Sequence, residues 1–133
     1  MSDEEYIGEW YAYEGGATIG EPGPEGGTTL RDEEFGDPED EEEAHARLTL
    51  ERSDGDEPEF ILTATLYGWM FSSRREPNEA VAHNDYDAML GELERLSAML
   101  PYEEDGPAEI ERKSRELAAA IAAFEARFSF SAR

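Results

Sequence analysis

Residues Phe60–Ser73 read FILTATLYGWMFSS, fourteen positions without a formal charge in a chain that is 34% charged. Such a run reads as the central strand of a sheet. Alternation puts Phe60, Leu62, Ala64, Leu66 and Met70 on one face and Ile61, Thr63, Thr65, Tyr67, Trp69 and Phe71 on the other, so both faces need a cover. Fully extended, the stretch would run ~46 Å at ~3.3 Å per residue, too long for a domain of this size. Gly68 is the expected place for a bend. Tyr67, Trp69 and Phe71 would otherwise form an exposed aromatic patch, so the sheet is expected to curl or to meet a second copy of the chain in a homodimer.

Outward from this stretch on its N-terminal side, Ala44–Glu51 alternates cleanly. Ala44, Ala46, Leu48 and Leu50 point one way and His45, Arg47, Thr49 and Glu51 the other, the pattern of a half-buried strand. Asp54-Gly55 is a hairpin signal that pairs this strand antiparallel with the central one. Upstream, Asp32–Glu43 holds nine acids in twelve residues around a lone apolar Phe35. Like charge at that density predicts an extended, solvated acidic loop over 32–43. Tyr6–Tyr13 has the aromatic content of a strand, and Ala17–Gly20 and Thr28–Arg31 are short strand candidates. Between these two lies Glu21–Gly27, EPGPEGG, a connecting loop. Residues 1–5 form a polar terminus expected to fray.

On the C-terminal side, Asn78 is a helix N-cap, and Tyr86, Met89, Leu90, Leu93, Leu96 and Leu100 recur at helical spacing over about 79–100. Pro101 stops that helix. Pro107 opens a second over about 108–128, with Ile110, Leu117, Ile121, Phe124 and Phe128 on its apolar face. The short connection makes the two antiparallel neighbours. The expected fold is therefore a single α+β domain over 1–133: an antiparallel sheet of three to five strands at about 6–73, followed by two antiparallel helices packed on one face.

Charge sets the expected functional class. The net charge is −23, and residues 1–59 carry 21 acids against three Arg. Such a field repels nucleic acid and anionic membrane surfaces and attracts basic proteins. With no Cys there is no thiolate chemistry, and the apolar run is too short to span a bilayer. No basic-led apolar segment opens the chain, and a cytoplasmic location is expected. GGATIGEPGPEGG lacks the Lys-Ser/Thr of a phosphate loop, and no GxSxG occurs.

Three readings follow. The first is a non-enzymatic acidic interaction module, most concretely an inhibitor or immunity-type protein that neutralises a basic partner. Asp37, Glu39, Asp40, Glu41, Glu42 and Glu43 would supply the field, and Tyr11, Tyr13 and Trp69 the aromatic anchors. No cofactor is expected. The alternative is a divalent-cation-dependent enzyme using Glu79, His83 and Asp87, spaced by four on one helix face; a solvated face that includes one His fits the same spacing. Asp54, Asp56, Glu57 and Glu59 do not meet the spacing of a calcium loop. The third reading takes ten Arg against one Lys, with abundant acids, as salt adaptation without a specific partner. It predicts folding only at high salt.

Overall fold

A computed structural model describes residues 8–130. Five strands run in the order of the chain, each antiparallel to the next: β1 (Glu9–Ala12), β2 (Thr28–Gly36), β3 (Ala46–Arg52), β4 (Phe60–Leu66) and β5 (Met70–Glu76). Two helices follow, α1 (Glu79–Ser97) and α2 (Pro107–Arg127). This is an α+β domain whose helices lie on one face of the sheet.

Residues directly opposite in an antiparallel ladder share a face, so the register sorts the sheet into two. Phe35, Ala46, Leu66 and Met70 form one row towards the helices, and Leu48 pairs with Ala64 and Leu50 with Leu62 in the next two. Against them α1 sets Ala82, Tyr86, Met89, Leu93 and Leu96, and α2 sets Leu117, Ile121 and Phe124, joined by Phe128 just past its end, all buried. Asn78 caps α1 by accepting from the Val81 N–H at 3.0 Å, and Pro107 stands in the first turn of α2. Arg127 on α2 reaches Glu92 on α1 at 2.8 Å.

The uncharged stretch is a hairpin, not one bent strand. Tyr67, Gly68 and Trp69 form the turn, closed by the Trp69 N–H donating to the Leu66 carbonyl at 2.8 Å. Gly68 has φ +84°, a left-handed value that glycine adopts without a Cβ clash. The chain thereby resolves the length conflict by folding back, and both halves keep the alternation read from the sequence.

The acidic stretch also divides. Its first part, Asp32–Gly36, belongs to β2, and only the part from Asp37 onward is loop. Asp32 and Glu34 are buried strand residues, because each finds partners on the second sheet face. Residues 17–20, a strand candidate, form turns; of Tyr6–Tyr13, Glu9–Ala12 is strand and Tyr6 and Ile7 lie outside the described residues. The sheet extends to Glu76, three residues beyond the expected limit.

Among the described residues no second layer of helix covers the other face. There, Glu51 has no exposed surface, and its carboxylate accepts from the backbone N–H groups of Glu25 (3.1 Å) and Gly27 (2.9 Å). The glycine-rich segment read as a plain connector thus folds back onto the sheet. It is pinned beside β2, where Gly20 N–H donates to Thr29 and Thr29 N–H to Glu21. At Gly27 a Cβ would stand 2.7 Å from the Arg52 carbonyl oxygen, so only glycine allows this approach.

Hydrogen bonds to a buried charged acceptor contribute about 1.5–3 kcal/mol each. We therefore expect Glu51→Ala to lower the unfolding free energy in urea by about 3 kcal/mol and Glu51→Gln by less. A loss below ~0.5 kcal/mol for Glu51→Ala would contradict this role for the carboxylate.

Candidate functional site: an aromatic pocket at the acidic end of the sheet

Three connections meet at one end of the sheet: the β2–β3 loop, the β4–β5 turn and the α1–α2 connection. The β2–β3 loop turns on local bonds, with Asp37 Oδ1 accepting from the Glu39 N–H at 2.9 Å and a short 3₁₀ turn at Glu41–Glu43. It rejoins the sheet where the His45 N–H donates to the Phe35 carbonyl at 2.8 Å, and the His45 carbonyl accepts from the Tyr67 N–H at 2.9 Å. Asp37, Glu39, Asp40, Glu41, Glu42 and Glu43 are all exposed, as like charges at this density require.

Where these segments meet they enclose a pocket of about 420 Å³. Its walls include His45, Tyr67, Trp69, Pro101 and Tyr102, with Ser97 also in the lining. Trp69 and Tyr102 are 38% and 55% exposed, an unusual state for large aromatic side chains unless something covers them. None of the lining side chains is a carboxylate or a Lys or Arg. Acids flank it in sequence instead, with Glu41–Glu43 preceding Ala44 and Glu103-Glu104 following Tyr102. Asp105 holds the α1–α2 connection by accepting from the Tyr102 N–H (2.9 Å) and from Lys113 (2.8 Å). The Lys113 hydrogen bond and the Tyr102 backbone hold the Asp105 carboxyl below its ordinary range.

The anchors expected from sequence separate. Trp69 faces this pocket, whereas Tyr11 and Tyr13 stand on the second sheet face in contacts of their own. Tyr11 and Tyr67 both donate to the buried Glu34 carboxylate, at 2.8 and 2.6 Å. Burial, then the hydrogen bond and charge of Glu34, push both phenols well above their ordinary range. The Arg47 guanidinium lies 3.8 Å from the Tyr13 ring centroid and grips Asp32 with two bonds, at 2.9 and 2.7 Å. Burial works against the Arg47 charge, and the bonds and charge of Asp32 outweigh it, raising its pKa. The sequence did not point to Ser97 or Tyr102; a single aromatic inside an acid-rich connection was the available signal for the latter.

Glu79, His83 and Asp87 do share one face of α1, but a cation of the protein already stands there. Arg31 from β2 donates to Asp87 at 2.9 Å, and its Nη1 lies 3.3 Å from His83 Nδ1. His83 Nε2 is 3.4 Å from Glu79. Among the described residues no group of three or more His, Asp or Glu side chains is placed to hold a metal ion. Nor is any helix among them long and apolar enough to cross a membrane.

No family model, no curated protein and no solved structure matches the chain.

Tyr86 reports on the fold's proton balance. Its hydroxyl is buried between Glu33 Oε1 (2.9 Å) and the Leu48 carbonyl (3.1 Å), and burial followed by the Glu33 charge raises its pKa far above the ordinary 10.0. Above pH 10 the unfolded chain sheds this proton and the folded chain keeps it. Stability is therefore intact below pH 10 and falls as the pH rises beyond it, by about 1.4 kcal/mol per pH unit for each such phenol. In chemical denaturation from pH 9 to 11.5, Tyr86→Phe is expected to fall less steeply than wild type above pH 10. Parallel curves would contradict the burial of this hydroxyl.

Proposed function

We propose that this chain is a non-enzymatic binding protein for a basic protein partner, docking through the acidic end of the sheet, in the manner of an inhibitor or immunity-type protein. One observation carries the reading: the β2–β3 loop, with six exposed carboxylates, runs directly into Ala44 and His45 of an open aromatic pocket. The combination suits a protein interface. Aromatic side chains supply rigid contact area, and a surrounding field of one sign steers a partner of the opposite sign and speeds encounter. The loop's carboxylates reach solvent unpaired by any Lys or Arg among the described contacts, so their charge is available to a partner.

The contrast with the other acids supports the same reading. Asp32, Glu34 and Glu51 are buried and committed to the fold, while Glu109, Glu111 and Glu116 pair with Arg112 or Arg115 along α2. At the β2–β3 loop only Asp37 has a bond of its own, from the Glu39 N–H, and none of the six acids is buried or paired with a Lys or Arg among the described contacts. Trp69 then serves as the aromatic anchor at the contact, in place of a trio with Tyr11 and Tyr13.

Protamine, a strongly basic protein, tests this when two variants of equal charge are compared. One carries Asn or Gln at 37 and 39–43; the other carries them at the exposed acids Glu14, Glu21, Asp54, Asp56, Glu57 and Glu94. The first is expected to lose affinity about tenfold or more at 0.15 M salt, with folding unchanged or improved, and the second about threefold or less. Equal losses would make the binding a property of net charge and overturn the proposal.

A further inference from the structure

Resting on the docking reading above, the geometry points to an arginine side chain of the partner as the group that enters the aromatic pocket, and we infer that its guanidinium lies against Trp69. Three observations lead there. The walls are aromatic and the flanking loops anionic, the environment in which a cation gains from ring faces and from the surrounding field together. The chain already sets cations over its aromatic rings: Lys113 Nζ stands 4.8 Å from the centroid of Tyr102 in the pocket wall, and away from the pocket Arg47 stands 3.8 Å from Tyr13 and Arg31 3.9 Å from Tyr86. Lys113 does not oppose a second cation strongly, because Asp105 neutralises it at 2.8 Å.

The third observation concerns the polar atoms. Ser97, the last residue of α1, is 4% exposed and lines the pocket, and its hydroxyl proton is spent on the Leu93 carbonyl at 2.9 Å. Tyr67 lines the pocket too, but its hydroxyl is engaged with Glu34 on the second sheet face. The Ser97 oxygen therefore retains acceptor capacity alone. A ligand that donates hydrogen bonds is complementary to this oxygen, while the indole N–H of Trp69, the hydroxyl of Tyr102 and the ring of His45 add donors to the same lining.

Arginine is favoured over lysine by what the pocket lacks. No carboxylate lines it, so an ammonium would give up a tightly held water shell without a charged acceptor in return. A guanidinium is more weakly hydrated, stacks on ring faces and offers five donors in a plane. The volume of about 420 Å³ admits the whole side chain.

The test uses three matched peptides of equal length with four arginines, four lysines or four citrullines, the last keeping the shape of arginine without its charge. Affinity is read from Trp fluorescence and from amide shifts at His45, Trp69 and Tyr102, in wild type, Trp69→Ala, Tyr102→Ala and the variant neutralised at 37 and 39–43. The arginine peptide is expected to bind wild type about fivefold or more tightly than the lysine peptide. Citrulline should bind negligibly. Each aromatic variant should bring the arginine affinity down to the lysine value and leave lysine binding unchanged.

Equal arginine and lysine affinities in wild type, or an arginine preference that survives Trp69→Ala, would overturn the inference. If both peptides then still lose affinity on neutralising 37 and 39–43, the docking reading stands without it. Absence of binding by either peptide at this end of the sheet overturns both.

Discussion

Three carboxylates buried on one face of a five-stranded sheet impose the constraint around which this molecule is built. Asp32, Glu34 and Glu51 stand at positions where a two-layer sandwich would place apolar side chains, and burying a charge without partners is costly. Each has a donor from elsewhere in the chain: Arg47 and Thr18 for Asp32, Tyr11 and Tyr67 for Glu34, and the backbone of residues 25 and 27 for Glu51. The segments before β2 and the β4–β5 turn are drawn onto the sheet by these bonds. A polar layer, contributed by the chain itself, thus does what a second layer of helices does in other folds.

This layer also decides where aromatic surface stays open. Glu34 fixes the hydroxyl of Tyr67, which sets the turn carrying Trp69 beside His45 and the end of α1. Tyr11 bonds the same Glu34 carboxylate and Tyr13 lies against Arg47, both on the second sheet face. Tyr11 thus satisfies buried charge, Trp69 and Tyr102 line the pocket, and Tyr67 does both. The acids divide: those on strands are consumed by the fold, and those on the β2–β3 loop face water. A chain of net charge −23 keeps its fold compatible with that charge by sending most of the unpaired carboxylates outward.

Helix boundaries and apolar faces were legible in the sequence because they rest on local signals, namely Asn78 as a cap, Pro107 at a first turn and the three-four spacing of Leu and Phe. The alternation within Phe60–Leu66 and Ala46–Arg52 was legible for the same reason. What stayed hidden depended on partners distant in the chain. Asp32 and Glu34 read as solvated loop, since nothing local announces the Arg47, Tyr11 and Tyr67 contacts that allow them into a strand. Glu21–Gly27 read as a plain connector because the buried Glu51 that captures it lies more than twenty residues away. Of the site, the acidic loop and Trp69 could be read directly. The pocket could not, because Ser97 and Tyr102 reach it only through the packing of α1 against the sheet.

The self-supplied polar layer is tested most directly by residue-resolved amide hydrogen exchange of the protein at neutral pH. If Glu51 holds the glycine-rich segment on the sheet, the amides of Glu25 and Gly27 exchange nearly as slowly as those of β3, since both donate to a carboxylate with no access to water. Exchange of these two amides at the rate of an unstructured loop would contradict the account, because Glu51 would then be a buried charge without its partners.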